Sequence, residues 1–431
     1  MWADIAVGRH RQDAAAARRK AAARLRARRS WIALLALAPG MAQAVVSHGE
    51  PGSLLLFPLI SVEAGVDTLV RLTNAGDSEL PVRCAYVDGS GNRHATASFL
   101  ITLTPRQPIA WLAGQGAPAL PVDGVNHVGI DGSVNSGSIP PVPVSPFSGT
   151  LRCVAAEPDG TPTASDTLLG NATLQRAAPG GDSAAYTAIG FRATGTSADT
   201  PDVLVLGSPQ AEYDACPEHV FLQPFLDGAR INLGSEGAIA RATATTVVLA
   251  TCSSAPNGGA AATVDLTLTN EFGMQFQARR AFREHLATDL SRLDGTIPSM
   301  SIFNSAVAGS ATGNLHMTPT SPGSGIVAIA LTAWADPGAP GAPYRTAIQG
   351  QFSGARIVPD LVDLSAPGPA CAGDCDADGT VAINELVGGV AIALGSAAVN
   401  SCSAFDTDGS GAVTVAELVA AVAAALTGCS P

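Results

Sequence analysis

The chain has 431 residues, 46% of them apolar, 5% aromatic and 14% charged, with 46 Gly and 30 Pro. This is material for two or three domains with real cores and argues against disorder, while the low charge excludes a coiled coil or long helical bundle. Nine of the 24 basic residues fall in the first thirty positions; the remainder holds 15 basic against 34 acidic residues and no Lys, a poor match to a phosphate backbone, so nucleic acid is not an expected partner.

The basic start leads into Trp31-Ile32-Ala33-Leu34-Leu35-Ala36-Leu37-Ala38 and then Ala42-Gln43-Ala44. A positive region, a short apolar run and a small-x-small site are the parts of a secretory signal peptide, so residues 1–44 are expected to be removed after Ala44. The run is too short to span a bilayer, and no later window reaches ~18 apolar residues without a polar break. The mature chain is expected outside the cytoplasm, secreted, on the cell surface or in a periplasm, with no transmembrane segment.

Export into an oxidising compartment fits eight cysteines in two groups of four, Cys84, Cys153, Cys216 and Cys252, then Cys371, Cys375, Cys402 and Cys429. Each group allows three pairings. The expectation for the first is the nearest-neighbour pairing, Cys84 with Cys153 and Cys216 with Cys252; for the second it is a Cys371–Cys429 clasp between the ends of the segment.

From Gly52 to Leu364 short apolar stretches alternate with Gly, Pro, Asn and Asp. Ser53–Leu59 is continuously apolar, whereas Thr68–Asn74, Val82–Val87 and Val264–Asn270 alternate with period two and end in turn residues, the mark of half-buried strands. Further strands are expected at Thr150–Ala155, Val203–Leu206, Thr245–Ala250 and Ile326–Thr332. The expected fold class is mainly β: two antiparallel β-sandwich-like domains, residues 45–210 and 211–364. An echo of Leu72-Thr73-Asn74 in Leu268-Thr269-Asn270 suggests that the two are related. Ile139–Pro143 reads as an extended loop, Asp336–Pro343 as a surface excursion, and residues 365–372 as the linker to a third region.

That third region, residues 373–431, repeats itself. Asp374–Ser396 and Asp406–Gly428 share 11 identities in 23 positions at an offset of 32. Each copy opens with alternating oxygen-bearing residues, Asp374, Asp376, Asp378, Gly379 and Glu385 in one, Asp406, Asp408, Ser410, Gly411 and Glu417 in the other, at positions 1, 3, 5, 6 and 12 of an EF-hand loop. Calcium takes six to eight oxygens at roughly 2.3–2.6 Å, so alternate side chains must point inward as the chain wraps the ion. Position 7 lends a backbone carbonyl, here from Thr380 and Ala412. From Ala366 to Pro431 there are seven acids, all at ligand positions, and no Lys or Arg. Two calcium ions are the expected cofactor. At position 8, Val381 and Val413 are expected to bridge the loops and enter the core. A helix is expected behind each loop, with Leu386, Val387, Val390, Ala393 and Leu394 facing Leu418, Val419, Val422, Ala425 and Leu426 as the module's core. Pro367, Gly368, Pro369 and Gly373 forbid a helix in front of the first loop.

Two such loop-helix repeats resemble a type I dockerin or a dockerin-like tandem EF-hand module. The resemblance spans Gly373–Cys429, about 13% of the chain. It implies a small all-α module that binds calcium at the positions named above and a cohesin-like or other surface protein module as partner. Dockerin positions 10 and 11 are Ile383-Asn384 and Val415-Ala416 here, without the hydroxyl pairs that dockerins use for cohesins, and position 12 is Glu where cellulosomal dockerins carry Asp.

The body carries no HExxH, G-x-S-x-G elbow, phosphate loop or dinucleotide fingerprint, and its histidines His48, His94, His127, His219, His285 and His316 lie far apart in sequence. Arg279, Arg280, Arg283, Glu284 and His285 form the densest charged cluster, read as a solvated face. The body resembles exported β-rich bacterial proteins of uncharacterised activity, which implies no reaction. The expected function is calcium binding for folding or docking by a secreted or surface protein with a non-catalytic β-rich body. The alternative is a secreted polysaccharide-degrading enzyme carried by its dockerin, which a cleft with two carboxylates roughly 5–10 Å apart would mark.

Overall fold

The computed structural model describes residues 47–427 apart from 64, 90–95, 118–119, 123–124, 129–132, 135–138, 177–182, 195–201, 208–210, 233–239, 255–260, 321–322, 336–343, 365–371, 376–379, 398, 400–401 and 407–411. The expected signal peptide, the Asp336–Pro343 excursion, most of the expected linker and the Cys371–Cys429 clasp therefore lie outside the described residues.

Every strand expected from alternation is present. Leu80–Asp88 and Ala261–Asn270 alternate buried and half-buried residues along their length. Leu54–Val62, apolar apart from Ser61, is buried at eight of nine positions, as a strand covered on both faces must be. The strands form four main sheets. One runs Ser47–His48, Ile189–Phe191, Leu54–Val62, Phe147–Ala155, Leu80–Asp88, Thr96–Leu103, and a second Ser183–Thr187, Leu168–Arg176, Val66–Asn74, Pro108–Leu112. The third runs Gln275–Arg283, Ala261–Asn270, Gly313–Pro319, Pro217–Leu222, Gln351–Ala355, and the fourth Arg230–Asn232, Ala240–Thr251, Ile326–Ala335, Tyr344–Gln349, with His285–Asp289 also on Ala240–Thr251.

The mainly β reading holds, with 54% strand and 12% helix, but the two-sandwich expectation does not: the sheets are arranged as a four-bladed β-propeller. Alternation identifies a strand with one wet face, and sandwiches and propellers share that pattern, so it leaves the arrangement of sheets open. The packing shows what was missed. One apolar cluster joins Leu54, Leu56, Val154 and Phe191 to Ala250, Val327 and Val362, and another adds Val248, Ile329 and Leu331 to the core around Phe57, Trp111 and Tyr86. Val203–Leu206 pairs with Asp360–Asp363, which ties early and late parts of the body edge to edge.

Both expected body disulfides are formed. Cys153 stands opposite Cys84 on the neighbouring strand, and Cys216 joins Cys252 at the end of Ala240–Thr251. The Leu-Thr-Asn echo is also structural. Asn74 and Asn270 are buried at the ends of their strands, each accepting amide hydrogen bonds from the turn that follows, Gly76 in one case and Phe272 and Met274 in the other. A buried Asn that closes its own turn explains why both strands stop there.

In the C-terminal region helices Ile383–Ala393 and Val415–Thr427 follow the two acidic loops, as expected. A 3-10 turn, Ser403–Phe405, precedes the second loop. Phe405 is fully buried among Ile392, Cys402, Ala404, Val413 and Ala421. Cys375 and Cys402 form a disulfide across this core.

Candidate calcium-binding module

Each acidic loop ends in a carboxylate that starts a helix. Glu385 Oε2 accepts from the Ala382 amide at 2.7 Å, and Glu417 Oε2 accepts from the Thr414 amide at 2.7 Å and the Thr414 hydroxyl at 2.9 Å. The Thr-x-x-Glu spacing of the second is a capping box; in the first, Ala382 leaves only the Glu half. Glu385 does more. Its other oxygen accepts from the Cys375 amide at 2.6 Å, so the end of the loop is laid over its beginning, beside Asp374.

Asp374, Glu385 and Glu417 are buried, Asp406 is half-buried, and Thr380 and Ala412 are exposed, as suits positions that lend only a carbonyl. Asp376, Asp378, Asp408 and Ser410 lie outside the described residues. Within the first copy the Glu385 carboxylate thus reaches the backbone one residue after Asp374. Seven acids with no basic residue from Ala366 to Pro431 give the segment a negative field that draws cations. The donor set is all oxygen, which suits calcium over softer metals.

Val381 and Val413 are buried as expected, but no backbone bridge joins them among the described residues. The larger correction concerns the helix stripes. Leu386 and Leu418 pack against the Phe405 core, yet Val387, Val390 and Leu394 are exposed, as are Val419, Val422 and Leu426, with Leu394 at 78% and Leu426 at 81%. Together with Ile383 and Val415 they make the same 4-3-4 spacing twice, one continuous apolar line along each helix. The buried residues of the first helix are Glu385, Gly389 and Ile392. At 100° per residue these lie on the opposite side from Ile383, Val387, Val390 and Leu394. Both helices are apolar nearly all round, so periodicity alone does not identify the buried side.

In the body, the Arg279–His285 cluster divides at Glu284, whose φ is +51°. Arg279 is an exposed strand residue paired with Asp265 at 2.6 Å, whereas His285 is buried and Glu284 lies 3.9 Å from the buried Arg152. The Arg152 guanidinium donates to the carbonyls of Thr251 and Ser253, both at 3.1 Å. This half of the cluster ties sheets together. A pocket at the ends of Ala261–Asn270 and Gly313–Pro319 offers one carboxylate, Glu271, beside Gln223 and Asn314 and no aromatic ring, which is not the paired-acid cleft of a glycosidase. Sequence reading left the histidines scattered; strand pairing brings His219 and His316 together. Only the x-His-x pattern on two half-buried strands pointed there, and it carries no information on which strands pair.

No protein-family model, curated protein or solved structure matches the chain.

Proposed function

We propose that the C-terminal module binds two calcium ions, one per loop, through Asp374, Asp376, Asp378, the Thr380 carbonyl and Glu385, and through Asp406, Asp408, Ser410, the Ala412 carbonyl and Glu417. The observation that carries this reading is the Glu385 carboxylate folded over the Cys375 amide, next in the chain to Asp374. Calcium serves folding. A core built around Phe405 from Val, Ala, Ile and Leu is small for a region of ~60 residues, and such cores rarely supply more than ~3–5 kcal/mol. An ion held at 100 times its dissociation constant adds ~2.7 kcal/mol. The exposed apolar lines on both helices support the docking half of the reading, with a cohesin-like or other surface module as partner and the β-rich body as a non-catalytic interaction region. An exported, secreted or surface location accords with the leader-like N-terminus. The test is chelation of the full chain followed by calcium titration, read by helical circular dichroism. Recovery of helix signal with calcium but not with equal magnesium supports the reading; a signal indifferent to calcium refutes it.

A further inference from the structure

His219 and His316 are 97 positions apart in sequence and adjacent in space. Strands Pro217–Leu222 and Gly313–Pro319 pair antiparallel with Phe221 opposite His316. Their alternate residues Val220, Leu222, Leu315 and Met317 enter the core, which turns His219, Phe221, His316 and Thr318 to the other, half-buried face. There, His219 Nδ1 lies 3.2 Å from His316 Nε2, and Thr318 Oγ1 lies 3.2 Å from the first nitrogen and 3.3 Å from the second. Three potential donors thus form a nearly equilateral triangle. The Phe221 ring stacks on His316 with centroids 4.6 Å apart and planes within 7°, which holds the imidazole in place.

We propose that this triangle binds a divalent transition ion of the zinc–copper kind, with two imidazole nitrogens as principal ligands, the Thr318 hydroxyl as a weak third and water completing the shell. Two nitrogens at 2.0–2.1 Å from one ion at a tetrahedral angle stand ~3.3–3.4 Å apart, the spacing found here to within a few tenths of an ångström. Imidazole suits zinc, copper and nickel, while calcium prefers oxygen, so this site and the C-terminal loops select different ions. Asp265, opposite Thr318 on the next strand, is engaged by Arg279. Without metal, one imidazole donates a hydrogen bond to the other across the same contact, and the experiment must separate the two.

The full chain, saturated with calcium, is titrated with copper(II) and followed by electron paramagnetic resonance and calorimetry. The expected result is one copper per chain with coupling to two nitrogens. His219→Ala and His316→Ala each weaken binding by more than roughly tenfold and lose that coupling, while Thr318→Val keeps it. Glu385→Gln/Glu417→Gln leaves the copper site intact, so failure here and failure of the calcium reading are distinguishable. Should a histidine variant not fold, zinc protection of His219 and His316 from diethylpyrocarbonate in the unmutated protein decides instead. No copper uptake, uptake unchanged in both histidine variants, or no protection overturns the proposal.

Discussion

Glu385 Oε1 accepts a hydrogen bond at 2.6 Å from the amide of Cys375, ten positions earlier in the chain. One side chain therefore starts a helix and holds the beginning of the loop in front of it, and under the calcium proposal the same carboxylate supplies the last ligand of the first ion. Removing it as Glu385→Ala leaves the Cys375 and Ala382 amides without this acceptor, and each such loss costs ~1–3 kcal/mol where the group stays buried. With calcium present at saturation, the C-terminal region of the variant should melt earlier than that of the unmutated protein, as followed by helical circular dichroism; an unchanged melt would mean that the hydrogen bonds are not holding the loop.

Gly388 and Gly389 are neighbours with opposite expected responses to Ala. A Cβ on Gly389 would fall 2.3 Å from the Phe405 ring, while a Cβ on Gly388 would meet nothing within 4 Å. Ala gains ~1 kcal/mol of helix propensity over Gly in either place, but overpacking against a buried ring costs ~1–3 kcal/mol. Gly388→Ala should stabilise the region and Gly389→Ala should destabilise it in denaturant melts. Equal effects would contradict the position of Phe405.

The exposed helix lines separate docking from packing. Val387→Thr and Leu394→Gln remove apolar surface that already faces water, so they should change stability by no more than ~0.5 kcal/mol. Leu386→Ala, against the core, should cost clearly more. If Leu394→Gln costs as much as Leu386→Ala, the line is buried and unavailable to a partner.

His285 gives the body a pH response of defined sign. Burial depresses its pKa from 6.5 to about 4, and its Nε2 has no hydrogen-bond partner among the described residues. The folded state keeps the ring neutral while the unfolded chain protonates near 6.5, so unfolding takes up a proton between pH 6.5 and about 4. Stability from this group is complete above 6.5 and is lost as pH falls through that window, on the order of 3 kcal/mol in all. Comparing urea midpoints of the protein and of His285→Asn at pH 7 and pH 4.5 isolates it. The variant should lose less stability on acidification; parallel losses would mean that the ring is hydrated in the fold.

Local structure was legible in the sequence where one residue type does one job. Alternation along Leu80–Asp88, the apolar run Leu54–Leu59 and the Asn-closed strand ends at Asn74 and Asn270 all appear where the pattern places them. The acidic spacing located the helices behind Glu385 and Glu417. Relations between distant segments were not legible. The blade arrangement depends on packing such as the cluster that holds both Leu54 and Val327, and the histidine pair on a register between histidines 97 positions apart. The exposed helix lines were misread because apolar and small residues occupy both sides of each helix, so hydrophobicity had no direction.

Calorimetric titration of the chelated full chain with calcium tests the central claim most directly. Two ions per chain are expected, falling to one in Glu385→Gln and in Glu417→Gln and to none in the double variant. A stoichiometry that both substitutions leave untouched, or no uptake by the unmutated protein, would contradict it.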